Sequence, residues 1–302
     1  MSECSMTQWV AEMWQGQYPI IAGFCTLGYI WYFVSGIECI IDFFWIFNHL
    51  VVGSVFLWKS YNEGTGGLHP TYFLQYLLLW FWFARLGGFL LFSRVLTGHE
   101  DKRYVMLRKR FPNHMGIYFF FNYQLQAVLL VFTSSTLYWS FYKRSMEPAS
   151  MSSLEMLTWA IGMALATKGL VMEAIADNEL EAWKANFSKN GAFKVTDAGA
   201  DSVANKDIRA KYHRSCIDGM WAKCRHPNLF HELEFWFGLG IIGLGGMNSW
   251  TRIAALFGPF MLYLIMAKLT IPLTERTMKP TREDYWVEYC EKYPTILPKS
   301  WP

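Results

Sequence analysis

Apolar stretches of about 20 residues, each long enough to cross a bilayer as a helix, recur along this chain and restrict what it can fold into. Seven are readable, near 18–35, 39–58, 71–94, 115–139, 152–175, 229–247 and 250–272. Hydrocarbon offers no partner to backbone N–H and C=O groups, and a helix satisfies its own. The expected fold is therefore all-α: a polytopic helical membrane protein of about seven transmembrane helices, forming a single membrane domain over residues 1–302. Composition agrees, since 53% of the residues are hydrophobic and 18% aromatic, unlike the charge-rich make-up of soluble domains. The short links at 36–38 and 247–249 make their flanking helices antiparallel hairpins.

Lys and Arg are distributed unevenly about these spans. Seven spans put the loop 94–114, the segment 176–228 and the C-terminal tail on one side, with 20 Lys and Arg against 4 on the other. The positive-inside rule assigns that side to the cytosol or an equivalent compartment. Because the cations line membrane borders, the net charge of +3 implies no nucleic-acid partner. The first 18 residues hold two glutamates and no Lys or Arg, which argues against a secretory or transit peptide. The six cysteines form no Cys-x-x-Cys pair, so neither a zinc knuckle nor a disulfide framework is expected. Residues 188–215 are polar and read as an exposed insertion, and Asn62 to Gly67 as a flexible turn.

Chemistry concentrates between Cys216 and Trp236. Lys223-Cys-Arg-His-Pro227 sets two cations and an imidazole before a proline and an apolar run. Proline suits the first helical turn, where its missing N–H costs nothing, so a helix is expected to start near Pro227. Its unpaired N–H groups and positive dipole end would favour an anion. Ionisable residues in or near spans are functional candidates. Glu173 and Asp177, and likewise Asn228 and Glu232, are four apart and share helical faces; ion pairs with Lys168, Lys223 or Arg225 are the structural alternative. His226 and His231, five apart, diverge by roughly 140° on a helix, so no metal site is expected.

These residues carry a resemblance. Arg225-His-Pro-Asn228 with Glu232 is similar to the Arg-His-Pro-Asn-Tyr-x-Gly-Glu signature of steroid 5-alpha-reductase-like membrane proteins, and Gly219-Met-Trp221 resembles the Gly-Leu-Trp that precedes it in one branch. Glu173 with Ala176-Asp177 resembles that branch's Glu-x-x-Ala-Asp element. Trp82-x-x-Arg85-Leu86 through Arg94 to Glu100-Asp101-x-Arg103-Tyr104 resembles its basic block, and Tyr285-x-x-x-Tyr289 with Tyr293-Pro through Leu297-Pro298 its ending. The match runs in order over about residues 80–298. Leu229 stands where the signature has tyrosine, and His231 where it has glycine.

The resemblance implies a C-terminal half that binds NADPH and reduces an activated double bond in a lipid-like substrate. Position by position, Arg225 and Lys223 would meet phosphates, His226 and Asn228 the cofactor's polar groups, and Asp177 and Glu232 its hydroxyl or amide groups. Arg103, Glu173, Tyr285 and Tyr289 complete the implied cofactor-binding set. The expected function is an NAD(P)H-dependent membrane reductase of a sterol-like, isoprenoid or fatty substrate. A second reading is a catalytically inactive, reductase-derived subunit of a larger membrane complex, packed against lipids or other membrane proteins. A third is membrane methyl transfer. Family analogy suggests the endoplasmic reticulum, with the mitochondrial inner membrane as the other choice.

Overall fold

The computed structural model describes residues 6–63, 70–98, 101–143, 151–190, 211–245 and 250–298. Most of the polar insertion and most of the turn after Asn62 lie outside these residues. Every regular element described is helical. Among the described residues, six helical segments have the length and apolar content of membrane spans: Val10–Ser35, Ile40–Glu63, Pro70–Val95, Met115–Tyr142, Ser153–Ala185 and Arg252–Thr281. The protein is thus a polytopic helical membrane protein.

The sixth expected span is not among them. Its helix runs Pro227–Leu244, and His231, Glu232 and Glu234 crowd its first half, lowering its hydropathy below that of the others. At 18 residues it is about 27 Å long. Phe230, His231, Leu233, Glu234, Phe235, Trp236, Leu239 and Ile242 are all buried, so its apolar residues serve a protein interior.

The chain divides into two compact units: Met1–Thr167 with Trp236–Ile265, and Lys168–Phe235 with Met266–Pro302. The first unit is built from α1 (Met6–Ser35), α2 (Ile40–Glu63), α3 (Pro70–Leu90), α4 (Lys102–Arg110) and α5 (Met115–Thr133), with the short α6 (Ser135–Leu137). The N-terminal part of α7 (Ser153–Asn190), the C-terminal part of α8 (Pro227–Leu244) and α9 (Phe257–Ile265) complete it. The Gly36–Glu38 link is a true break: α1 ends at Ser35, Gly36 takes φ +70°, and α2 starts at Ile40. A capping box opens α7, with Ser152 N–H on Glu155 Oε2 at 2.6 Å and Glu155 N–H on Ser152 Oγ at 3.3 Å.

Where α5 gives way to α6, four consecutive hydroxyl residues, Thr133 to Thr136, are buried. They tie helices together. Thr133 Oγ1 shares a hydrogen bond with His49 Nε2 at 3.0 Å, Ser134 Oγ donates to Gln17 Oε1 at 2.8 Å, and Thr136 Oγ1 donates to Ala255 C=O at 2.5 Å. Apolar contact gives little net drive when lipid is the competitor, so such bonds and close backbone packing carry helix association. That packing is clearest between α7 and α8, where a Cβ on Gly238 would lie 2.5 Å from Ala166 N.

The second unit holds the rest of α7 and α8, a 3₁₀ turn at Gly219–Ala222, α10 (Ile271–Met278) and α11 (Trp286–Lys292). Its core includes Tyr212, Ile217, Tyr285, Tyr289 and Tyr293. Among the described cysteines, Cys25, Cys39, Cys216, Cys224 and Cys290 are free thiols.

Candidate functional site

Pro227 is the first residue of α8, as expected from its place before the apolar run. The segment leading into it is fixed at three points in the second unit. Gly219, at φ +54°, turns the chain so that Met220 N–H reaches Glu179 Oε2 at 2.9 Å. Trp221 then donates its indole N–H to Ala176 C=O at 2.8 Å, and Asn228 Nδ2 donates to Asp177 Oδ1 at 3.1 Å. The Glu-x-x-Ala-Asp element of α7 therefore meets the Gly-Met-Trp and Arg-His-Pro-Asn elements directly, across a sequence separation of about 50 residues.

The C-terminal tail closes the corner. Arg225 N–H bonds to Pro294 C=O at 2.9 Å and His226 N–H to Thr295 C=O at 3.1 Å. The Arg225 side chain is buried and engaged along its length: Nε donates to Glu275 Oε1 at 2.8 Å, Nη1 to the carbonyls of Cys290 at 3.1 Å and Tyr293 at 2.5 Å, and Nη2 to Thr295 Oγ1 at 3.0 Å. His226 Nε2 lies 3.1 Å from the same Glu275 oxygen. Planar guanidinium donors suit such multipoint clamping. Arg225 thus bridges α8, α10 and the tail.

Cys224, next to Arg225 in the chain, is fully buried, and burial pushes its thiol pKa up to about 11. His231 is buried too, its Nδ1 2.6 Å from Glu234 Oε2 while Lys168 Nζ holds Glu234 Oε1 at 3.0 Å. Close approach of α7 to α8 in this unit comes at Gly169, whose Cβ would lie 2.6 Å from His231 C=O. The imidazole at 231 is accommodated without that approach being lost. Among the described residues, His, Cys, Asp and Glu side chains form no group of three that could hold a metal ion.

A model for the family DUF1295, described as a protein of unknown function, matches residues 28–292. The chain belongs to the DUF1295 family. No curated protein and no solved structure matches it.

Of the ten residues singled out in the DUF1295 chain's sequence, nine lie in its second unit. Asp177, Asn228, Lys223 and Glu232 are half-buried and reachable, Glu173 is buried within α7, and Arg225 with His226 faces Glu275. Tyr285 and Tyr289 anchor the tail: the Tyr285 hydroxyl accepts from Arg214 N–H at 3.2 Å and lies 3.3 Å from Ser215 Oγ. Burial raises the Tyr289 phenol above its ordinary range.

The tenth, Arg103, belongs to the first unit. Asp101 caps α4 by accepting from Arg103 N–H at 2.9 Å, and the Arg103 side chain lies 2.8 Å from Asp42 and 2.9 Å from Asp101. Tyr104 Oη adds a 2.9 Å bond to Asp42, Arg94 reaches Asp101 at 3.3 Å, and Arg108 pairs with Glu38. Asp42 holds Arg103 protonated, above its ordinary range. Burial would raise Asp101, but its bonds and charge contacts with Arg103 outweigh that and hold its carboxyl low. The basic block is latched onto the start of α2.

Residues that sequence reasoning missed are the acids and tail atoms completing the clamp: Glu179, Glu275 and Thr295. Glu275 had a usable signal, a carboxylate at the end of an apolar span. Arg214 and Arg282 also belong to the second unit. Neither meets a carboxylate among the described residues; Arg282 Nε donates to Ser215 Oγ at 2.9 Å and Arg214 Nη1 to Thr281 C=O at 2.8 Å. Burial, with the neighbouring Arg214 charge, lowers the Arg282 pKa.

Proposed function

We propose that this DUF1295 protein is an NAD(P)H-dependent membrane reductase of the steroid 5-alpha-reductase-like kind, acting on a sterol-like, isoprenoid or fatty substrate in the endoplasmic reticulum or mitochondrial inner membrane. The observation that carries the reading is the Asn228–Asp177 bond of 3.1 Å, which joins two elements of the resemblance on half-buried side chains. Asp177, Asn228 and Glu232 offer carboxylate and amide groups to the ribose hydroxyls and carboxamide of a dinucleotide. With Arg225 engaged by Glu275, Lys223, Arg214 and Arg282 are further cations that a cofactor phosphate could meet. The cofactor would supply hydride, and the chain's own part is to hold it beside the apolar substrate.

The engagement of Arg225 and His226 by Glu275 and the tail favours a second reading, a reductase-derived structural subunit whose signature has become a staple. NADPH titration of the purified full chain separates the two. Specific binding raises thermal stability by an amount set by ligand excess over Kd, about 2.7 kcal/mol at one hundred times Kd. The reductase reading expects that rise, and its loss in Asp177→Ala and Asn228→Ala variants. An unchanged melting curve at millimolar NADPH, with the protein folded, refutes it in favour of the structural subunit.

A further inference from the structure

Within the second unit a cavity of about 440 Å³ opens beside α10 and α11, a size that suits part of an amphiphile. Its wall is graded. Ala267, Ile271 and Pro272 give it an apolar end, while Arg276, Lys279 and Trp286 give it a basic, aromatic end. The span Arg252–Thr281 sets the direction of that gradient, because the two cations occupy its last turns and the apolar residues lie further inside.

Glu275 is also on the wall, but Arg225 and His226 already engage its carboxylate at 2.8 and 3.1 Å. Neither Arg276 nor Lys279 meets a carboxylate among the described residues, and both are exposed. The cavity therefore carries a surplus of positive charge at a membrane border, beside a tryptophan of the kind that settles at headgroup depth. A nucleotide needs no apolar wall within a span. An acyl chain does.

We propose that this cavity is a specific site for an anionic glycerophospholipid, with the phosphate headgroup on Arg276 and Lys279, the glycerol region against Trp286, and an acyl chain along Ile271 and Pro272. Basic residues near an anionic leaflet contribute about 1 kcal/mol each, so removing both weakens binding about thirtyfold.

The test is native mass spectrometry of the full chain, released from micelles holding phosphatidylglycerol and phosphatidylcholine. The expected result is retention of phosphatidylglycerol over phosphatidylcholine, a loss of about thirtyfold in R276Q/K279Q, and no loss in the control K109Q/R110Q, which removes two exposed cations elsewhere. Protection of the buried Cys224 thiol confirms that each variant is folded. Equal retention by R276Q/K279Q, or equal loss in the control, overturns the proposal, since either means nonspecific attraction. Displacement of the lipid by inorganic phosphate or NADPH also overturns it, in favour of a soluble-phosphate site. The outcome is independent of whether NADPH binds at Asp177 and Asn228.

Discussion

Replacing Arg225 by methionine tests whether the Arg-His-Pro corner is a clamp or a waiting ligand site. The substitution keeps an unbranched side chain but removes four hydrogen bonds, to Glu275, Cys290, Tyr293 and Thr295. Removing one partner of a buried ion pair costs about 3–5 kcal/mol, because the remaining charge stays uncompensated. The Glu275 side chain is 19% exposed and retains His226, so the lower end, about 3 kcal/mol, is appropriate. That cost falls on the junction between α8, α10 and the tail. The reporter is Cys224, the residue next to Arg225 in the chain and fully buried. In a variant with Cys224 as its only cysteine, opening must precede thiol labelling. If reclosing outpaces labelling, the rate follows the opening equilibrium, and 3 kcal/mol accelerates it about 10²-fold. Arg225→Lys, which keeps the charge without the fork, falls between. An Arg225→Met rate within a factor of three of the parent refutes the clamp. If such a variant also loses stabilisation by NADPH, Arg225 is a phosphate ligand after all.

Two further outcomes follow from the geometry. Gly219→Ala forces a Cβ onto a residue at φ +54° and into the Glu179 carboxylate, so it loosens the same corner by more than about 1 kcal/mol; unchanged Cys224 labelling would count against the turn's role. Asp101 has its folded pKa below its ordinary value of 3.8, so the stability it contributes is fully present above that value and is lost as pH falls through the lower folded one. Pepsin cleavage within Lys102–Arg110 should therefore rise as pH drops below 3.8 in the parent, whereas Asp101→Asn should be cut readily at every acidic pH; identical profiles would show that the latch adds nothing.

The amino-acid sequence alone determined that the chain is a helical membrane protein. It also located Pro227 as a helix start and the Gly36–Glu38 break between the first two spans, because hydrophobic length and local backbone chemistry are one-dimensional properties. It marked Asp177, Arg225 and Asn228 as chemically important for the same reason: charge and amide groups stand out against an apolar background. Partner choice is different, since it depends on which segments the fold brings within 3 Å or so of each other. Only tertiary structure decided that Arg225 faces Glu275 and the carbonyls of Cys290 and Tyr293, across 50 to 68 residues of chain. It likewise placed Arg103 in a latch with Asp42 and gave His231 a neighbour in Glu234. The expected sixth span carries a further lesson. Its helix holds His231, Glu232 and Glu234 in its first half, and Glu234 meets Lys168 there, a partner that the fold sets.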